Sequence, residues 1–393
     1  MTDRLSNVRA LVGLRVDEAV ALRRDLHRFP ELGWHETATT DRLARYLSDR
    51  GLKPRLRRGS TGLVVDVGSG TGPVVAFRAD IDALPIVESA GHDYASQRPG
   101  VMHACGHDAH AAIAAGTAAV LAEIPDLPGT VRFVFQPAEE LVHGGGRAMA
   151  SEGALGAASC ILAFHVDPSL PPGAVGLRTG PITGASDRIR VTLDGPGGHT
   201  SRPHQTVDLV AVAGRLVVDL PAHLRRITDP RRPIVMVFGT IHADGAENVI
   251  PARVEMAGTV RLFDLDLWRA LPPEVERLVH EIVSVYGAGA KVEYEQGAPP
   301  VVNDPEVIDA VQRSATAALG PGAISTAEQS LGSEDFSWFL EHVPGALVRL
   351  GAALPDRRVD LHSADFDIDE RAVGTGMLVG ALSLVTMLED AGR

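Results

Sequence analysis

The densest concentration of reactive side chains in the chain is the nonapeptide Met102-His103-Ala104-Cys105-Gly106-His107-Asp108-Ala109-His110. It holds three histidines, one of the two cysteines and an aspartate. Imidazole nitrogen, thiolate sulfur and carboxylate oxygen are the donors that transition metals take. The stretch stands just before a run of small residues, Ala111 to Ala122, that reads as a helix. A loop-to-helix junction of this kind can aim several donors at one point. An isolated buried cysteine usually behaves as a small hydrophobe, and a lone histidine as a cap; three histidines so close together reverse that expectation. The nonapeptide reads as half of a metal site.

A second signal is acidic. The run Thr130 to Phe135 reads as a strand and leads through Gln136-Pro137-Ala138 into Glu139-Glu140. Adjacent side chains point in different directions, so one carboxylate can bind metal while its neighbour stays free. That division of labour suits hydrolysis. A metal lowers the pKa of water and polarises a carbonyl, and a free carboxylate takes the proton and hands it to the leaving nitrogen. An isolated pair of glutamates is usually a solvated surface feature. Here the pair shares a sheet edge with other donors: Asp80 and Asp82 follow the apolar run Val74 to Phe77, and His165 closes the run Cys160 to Phe164. Glu334-Asp335-Phe336 and Leu361-His362-Ser363 supply further donors late in the chain.

These groups need elements to carry them. Asp17 to Arg28 and Glu36 to Arg50 read as helices, the latter closed by Gly51. Leu63 to Val67 and Val74 to Phe77 read as strands between Gly and Pro residues. Alternation of strands and helices predicts a parallel sheet, whose carboxyl edge is where ligands bind. From about Gly184 the rhythm changes. Asp187 to Leu193 is a predicted strand, Asp208 to Leu220 a helix, and Ile234 to Ile241 and Val254 to Leu262 are strands. A helix from Pro272 to Tyr286 and a strand from Lys291 to Glu295 complete the β-α-β-β-α-β order of a ferredoxin-like unit. Pro305 to Leu319 resumes a helix, Ala346 to Leu350 a strand and Asp369 to Leu388 a last helix. The expected fold is α/β: a catalytic domain (residues 1–183 and 298–393) with a mostly parallel sheet flanked by helices, and an inserted ferredoxin-like domain over 184–297.

Composition narrows the partners. The net charge is −13 without a long basic run, which argues against nucleic acid, since phosphate tracking needs clustered positive charge. Two cysteines make no disulfide framework and point to a reducing compartment. The N-terminal stretch is threaded with charges and has no apolar core of a signal peptide. The uncharged run Ala372 to Leu388 is shorter than the ~20 residues that span a bilayer and carries Gly374, Gly376 and Gly380, so it reads as a buried helix. The expectation is a cytoplasmic protein with no membrane partner.

With these residues in view, the sequence resembles the M20 family of metallopeptidases, in its amidohydrolase branch of hippurate hydrolases, N-acyl-amino-acid amidohydrolases and auxin-conjugate hydrolases. The resemblance rests on Arg24-Asp25-Leu26-His27 with Pro30-Glu31-Leu32-Gly33, on Arg78 to Pro85, on Met102 to His110 and on Phe135 to Glu140. It continues through Gly197-Gly198-His199, Asn248-Val249-Ile250-Pro251, Glu334-Asp335-Phe336 and Leu361-His362-Ser363. It implies two divalent metal ions per subunit, held by Cys105, His107, Glu140, His165 and His362. Zn²⁺ or Mn²⁺ suits this mixed donor set, with Co²⁺ and Ni²⁺ as further options. It also implies Glu139 as general base and acid toward a water between the metals, with Asp82 orienting a ligand from behind. His199 would steady the oxyanion, and Asn248 and Arg261 would grip a substrate carboxylate. In relatives the inserted domain mediates dimerisation, so a homodimer is implied. Thr200 and Ser201 stand where alanines are commoner, which bears on the acyl pocket. The implied activity is hydrolysis of the amide bond of an N-acyl amino acid, giving a carboxylate and a free amino acid. The alternatives are a carboxypeptidase or dipeptidase on short peptides, a hydrolase with Cys105 as nucleophile, and a non-catalytic clamp.

Overall fold

The computed structural model describes residues 2–392. The chain forms two compact units, one of Met1–Ile182, Val302–Glu328 and Asp335–Arg393, the other of Thr183–Val301 with Gln329–Glu334. The first unit is thus assembled from three separate stretches of chain.

Its centre is an eight-stranded sheet in the order Arg55–Leu56, Leu63–Gly68, Thr130–Gln136, Val74–Asp80, Ile161–Asp167, Gly345–Gly351, Val175–Leu177, Ile324–Thr326. The four strands in the middle, from Thr130–Gln136 to Gly345–Gly351, run parallel. They are apolar almost without interruption and buried along nearly their whole length, as strands covered on both faces must be. Parallel direction puts their carboxyl ends on one edge, where Asp80 pairs with Gln136 and Asp167 with Gly351. The strand predicted to stop at Phe164 runs on to Asp167, so His165 lies inside its last turn of pleat. The strands of two or three residues at the rims are too short for any period to show in sequence.

The helix His107–Ala122 is buried on every side, from His107 to Leu121. It packs against the sheet and against the helices Thr2–Arg28 and Arg371–Ala391. Alanine and glycine allow this close approach: a Cβ on Gly116 would stand 2.8 Å from the Met377 sulfur and 3.2 Å from Ala19 Cβ. The first helix begins at Thr2, well before the predicted Asp17, because Val8, Val12, Ala19, Leu22 and Leu26 form one buried stripe. The helix Arg371–Ala391 is long and apolar enough to cross a membrane, and most of it is buried within this unit.

The second unit carries a four-stranded antiparallel sheet in the order Ile234–Ala243, Arg253–Leu262, Ala185–Asp194, Gly289–Glu295. Burial alternates along Ala185–Asp194, one face lying under the helices Leu209–Ile227 and Leu265–Ser284. The latter helix starts at Leu265 rather than Pro272, with Asp264 as its cap accepting from Leu267 N at 2.8 Å. Pro272 has no N–H for the Trp268 carbonyl. Gln296 supplies the missing donor, its Nε2 lying 2.8 Å from that oxygen.

Candidate metal centre

Four chain segments deliver donors to the carboxyl edge of the first unit's sheet, the strand Ile161–Asp167 bringing His165. The loop before the helix His107–Ala122 brings Cys105 and His107. Gly106 between them has φ 87°, and a Cβ there would meet Val166 Cγ2 at 2.3 Å, so only glycine lets the loop lie against the neighbouring strand. The strand Thr130–Gln136 leads to Glu139 and Glu140 through Ala138, whose φ is 53°. His362 sits on a late loop with φ 63°, its N–H donating to the Ala104 carbonyl at 2.7 Å. Two of the four non-glycine residues with positive φ among those described therefore flank this one cluster, as strained backbone tends to do at functional sites.

The donor atoms converge. Cys105 Sγ lies 3.6 Å from His165 Nε2 and 3.3 Å from His362 Nε2. His362 Nε2 is 3.2 Å and His107 Nε2 3.9 Å from Glu140 Oε1. Three sets have all their ligand atoms within 4.8 Å of one another: Cys105 with His107 and His165, Cys105 with Glu140 and His362, and His107 with Glu139 and Glu140. The floor is buried, while the His362 side chain is 50% exposed, so the cluster opens to water on that side.

Hydrogen bonds decide which ring nitrogens remain available. His107 Nδ1 lies 3.0 Å from the Asp82 carbonyl and 3.2 Å from Asp82 Oδ1, which commits that nitrogen as donor and turns Nε2 toward the cluster. His165 Nδ1 donates to the Val166 carbonyl at 2.8 Å, again freeing Nε2. His110 is used up on both sides: Nδ1 against Asp80 Oδ1 at 2.6 Å, Nε2 accepting from Val166 N at 2.9 Å. Asp82 also accepts from the Glu140 backbone N–H at 3.0 Å, so one carboxylate fixes two neighbours.

These residues fit a divalent cation. His107 Nε2 and Glu140 Oε1 are buried and make no hydrogen bond, a costly arrangement for groups without a partner. Burial holds the His165 imidazole well below its ordinary pKa, aided by Arg349 and His110, which keeps it neutral as a ligand must be. Burial pulls His107 the same way, but Asp80, Cys105 and Asp82 outweigh it and hold the ring well above the usual value. Its surroundings thus favour positive charge at Nε2. Burial pushes the Cys105 thiol up to about 12.

Of the second unit's expected site residues, His199 and Asn248 are exposed and Arg261 is half-buried. His199 lies on the short strand Gly198–His199, pairs with Val249, and its Nδ1 accepts from Ser201 N at 3.1 Å. The Asn248 carbonyl accepts from Thr200 N at 3.1 Å, so His199 and Asn248 are close neighbours. Arg261 stands on Arg253–Leu262 and donates to the Leu331 carbonyl at 2.6 Å.

Residues 76–384 match the description peptidase family M20/M25/M40. The chain belongs to this family. An N-acetylcysteine deacetylase of Bacillus subtilis (strain 168) is 37% identical over 376 residues, covering 94% of this chain and 97% of the relative. A relative from Rhodococcus jostii (strain RHA1) that carries a glutamate–cysteine ligase name is 42% identical over 372 residues, 94% of this chain, which spans only 46% of that longer protein. Among solved structures, Bacillus subtilis YXEP protein, described as a dinuclear metal binding peptidase from the M20 family, superposes with a TM-score of 0.84 at 35% identity, over 96% of this chain and 99% of that one. The M20 chain is a metal-dependent hydrolase of amide bonds.

Within this M20 hydrolase, Cys105, His107, Asp82, Glu139, Glu140, His165 and His362 stand together at one sheet edge. Asp80 and His110 lie beside them, Asp80, His107 and His110 forming a further close group in which both His110 nitrogens are already hydrogen-bonded. The sequence puts Asp80 among the donors of the sheet edge and His110 in the nonapeptide, without a role for either. Alternation along a strand offered a signal, since Asp80 and Asp82 two positions apart tend to share a side. Asp335 plays another part. It accepts from Gln136 Nε2 at 2.7 Å, Arg78 Nη2 at 3.1 Å and Gly146 N at 2.7 Å, tying the late chain to the sheet edge.

Proposed function

We propose that this hydrolase cleaves N-acyl amino acids to a carboxylic acid and a free amino acid. Two divalent ions per chain would be held by Cys105, His107, Glu140, His165 and His362. The observation that carries the reading is the pair of buried ligand atoms without a hydrogen bond, His107 Nε2 and Glu140 Oε1, beside a second carboxylate, Glu139. The deacetylase relative supports the acyl-amino-acid substrate class. A sulfur, nitrogen and oxygen donor set suits Zn²⁺, and Mn²⁺, Co²⁺ or Ni²⁺ would also be accepted.

Bound ions would supply a lowered water pKa and a polarised amide carbonyl. The chain's own residues do the rest. The Glu139 carboxylate takes the proton of the attacking water and delivers it to the amide nitrogen as the C–N bond breaks. The Asp335 N–H lies 3.3 Å from Glu139 Oε1 and helps hold that carboxylate in place. Asp82 fixes the His107 ring and the Glu140 backbone. His199 is assigned to the oxyanion, and Asn248 and Arg261 to the substrate carboxylate, for which a guanidinium offers a two-pronged partner. A homodimer through the second unit completes the reading.

A second reading, cleavage of short peptides, is favoured by the peptidase description of YXEP protein. A nucleophilic Cys105 finds no support, since a buried thiol pushed up to about 12 holds almost no thiolate near neutral pH. The deciding experiment measures kcat/KM on N-acetyl, N-benzoyl and indoleacyl amino acids against dipeptides, after reconstitution with each metal. Preference for the acyl amino acids is expected; preference for dipeptides would transfer the assignment to the second reading.

A further inference from the structure

A second group of histidines and carboxylates lies in the first unit and has no part in the proposed chemistry. His27, at the end of the helix Thr2–Arg28, places Nε2 3.3 Å from Glu88 Oε1. His92 places its own Nε2 3.2 Å from the same oxygen. The three ligand atoms lie within 4.8 Å of one another. Around a tetrahedral ion with bonds of about 2.0 Å, neighbouring ligand atoms stand roughly 3.3 Å apart, which the two measured separations match.

The atoms of His27 and Glu88 that face away from the group are already directed. His27 Nδ1 meets Asp108 Oδ2 at 2.8 Å, the carboxylate–histidine arrangement that fixes a ring so that Nε2 faces a metal. Glu88 Oε2 accepts from Ser96 N at 2.6 Å, leaving Oε1 between the rings. His92 is held flat against Tyr94, ring centroids 3.9 Å apart, and neither of its buried nitrogens makes a hydrogen bond. To answer both contacts with protons, each Nε2 must carry one, which leaves the His27 ring charged since its Nδ1 already meets Asp108. One cation accounts for both contacts.

Charge points the same way. The buried guanidinium of Arg23 pairs with Asp108 Oδ2 and Asp367 Oδ1 at 2.7 Å each, Glu370 at 3.3 Å from it is balanced by Arg24, and Glu88 adds a further carboxylate nearby. With neutral imidazoles the cluster carries two net negative charges. Asp367 Oδ2 lies 3.9 Å from His92 Nε2 and offers a further oxygen. The His92 side chain is 13% exposed, so the cluster touches the surface at that one ring.

We infer that His27, Glu88 and His92 form a third divalent-cation site, of the Zn²⁺ class, separate from the catalytic centre. Its ion joins the end of the first helix to the 88–96 loop. Through Asp108 it braces the start of the helix that carries His107.

Crystals of the metal-stripped protein soaked in Zn²⁺ and measured at the zinc edge test this directly. An anomalous peak between His27 Nε2, Glu88 Oε1 and His92 Nε2 is expected, and its absence overturns the proposal whatever the other centre holds. In solution, His92→Phe keeps the stacking on Tyr94, and Glu88→Gln keeps an acceptor for Ser96. Each should bind one equivalent of Zn²⁺ fewer than the native chain by elemental analysis, with amide hydrolysis within about twofold of native. Equal stoichiometry in native protein and a folded variant would sink the site.

Discussion

Two buried polar clusters share the sheet edge of the first unit, and they are built on opposite principles. In the cluster of Arg78, Gln136 and Asp335, donors and acceptors answer each other. Arg78 Nε reaches Gln136 Oε1 at 2.8 Å, and its Nη1 reaches Asp80 Oδ2 at 2.8 Å. None of the side-chain nitrogens or oxygens of these three residues is buried without a hydrogen bond. In the cluster of Cys105, His107, Glu140, His165 and His362, donors face donors and a carboxylate oxygen lies unbonded. The first cluster closes on itself and holds structure. The second remains incomplete without a cation, and incompleteness among buried groups is what separates a site from a brace.

The sharpest way to break this comparison is Glu139→Ala. Removing the proton carrier should lower kcat by roughly 10²–10⁴ while metal content by elemental analysis and melting temperature stay near native. Full turnover would show that the open cluster works without its spare carboxylate. The converse variant, Asp335→Ala, removes one of the two carboxylates on the buried Arg78 guanidinium and the acceptor for Gln136 Nε2 and Gly146 N, Asp80 remaining. Loss of about 3–5 kcal/mol of unfolding free energy is expected, read from the urea midpoint. A loss below about 1 kcal/mol would remove the structural role from that cluster.

A subtler variant sharpens the line between the two. Asp82→Asn keeps the shape but weakens the hold on the His107 ring, and should cost roughly 10–100-fold in metal affinity. Competition with a chromophoric chelator would measure it, and unchanged affinity would dissociate Asp82 from the centre. The smallest effect concerns pH. With the Cys105 thiol pushed up to about 12, and His107 held above the ordinary imidazole value, both carry protons near neutrality that a cation must displace. Metal affinity should therefore climb as pH rises, about tenfold per unit for each proton released. Cys105→Ala should flatten that slope by one proton; an identical slope would mean that the thiol stays protonated and is no ligand.

The pattern of the sheet was legible because burial leaves a plain mark. Central strands covered on both faces read as near-continuous apolar runs, and three of the four end in a polar residue at the edge where ligands collect. The first helix and the helix Leu265–Ser284 extended past their predicted starts for opposite reasons. In one, scattered charges masked a buried stripe; in the other, Pro272 looked like a beginning until Gln296 was seen to satisfy the carbonyl that it orphans.

Residue types and their order along the chain were enough to specify a parallel sheet, a ferredoxin-like insertion and a metal-dependent amide hydrolase. Among the nonapeptide's histidines only the family resemblance singled out His107; the residue types themselves gave no physical reason for that choice. His103 is buried with neither nitrogen paired, and burial pulls its pKa down to about 4. His110 is consumed by Asp80 and Val166, and Asp108 turns to Arg23 and His27. Only Cys105 and His107 face the centre. A ring nitrogen is free or occupied according to partners that lie far along the chain, and only the folded packing brings those partners into hydrogen-bonding range.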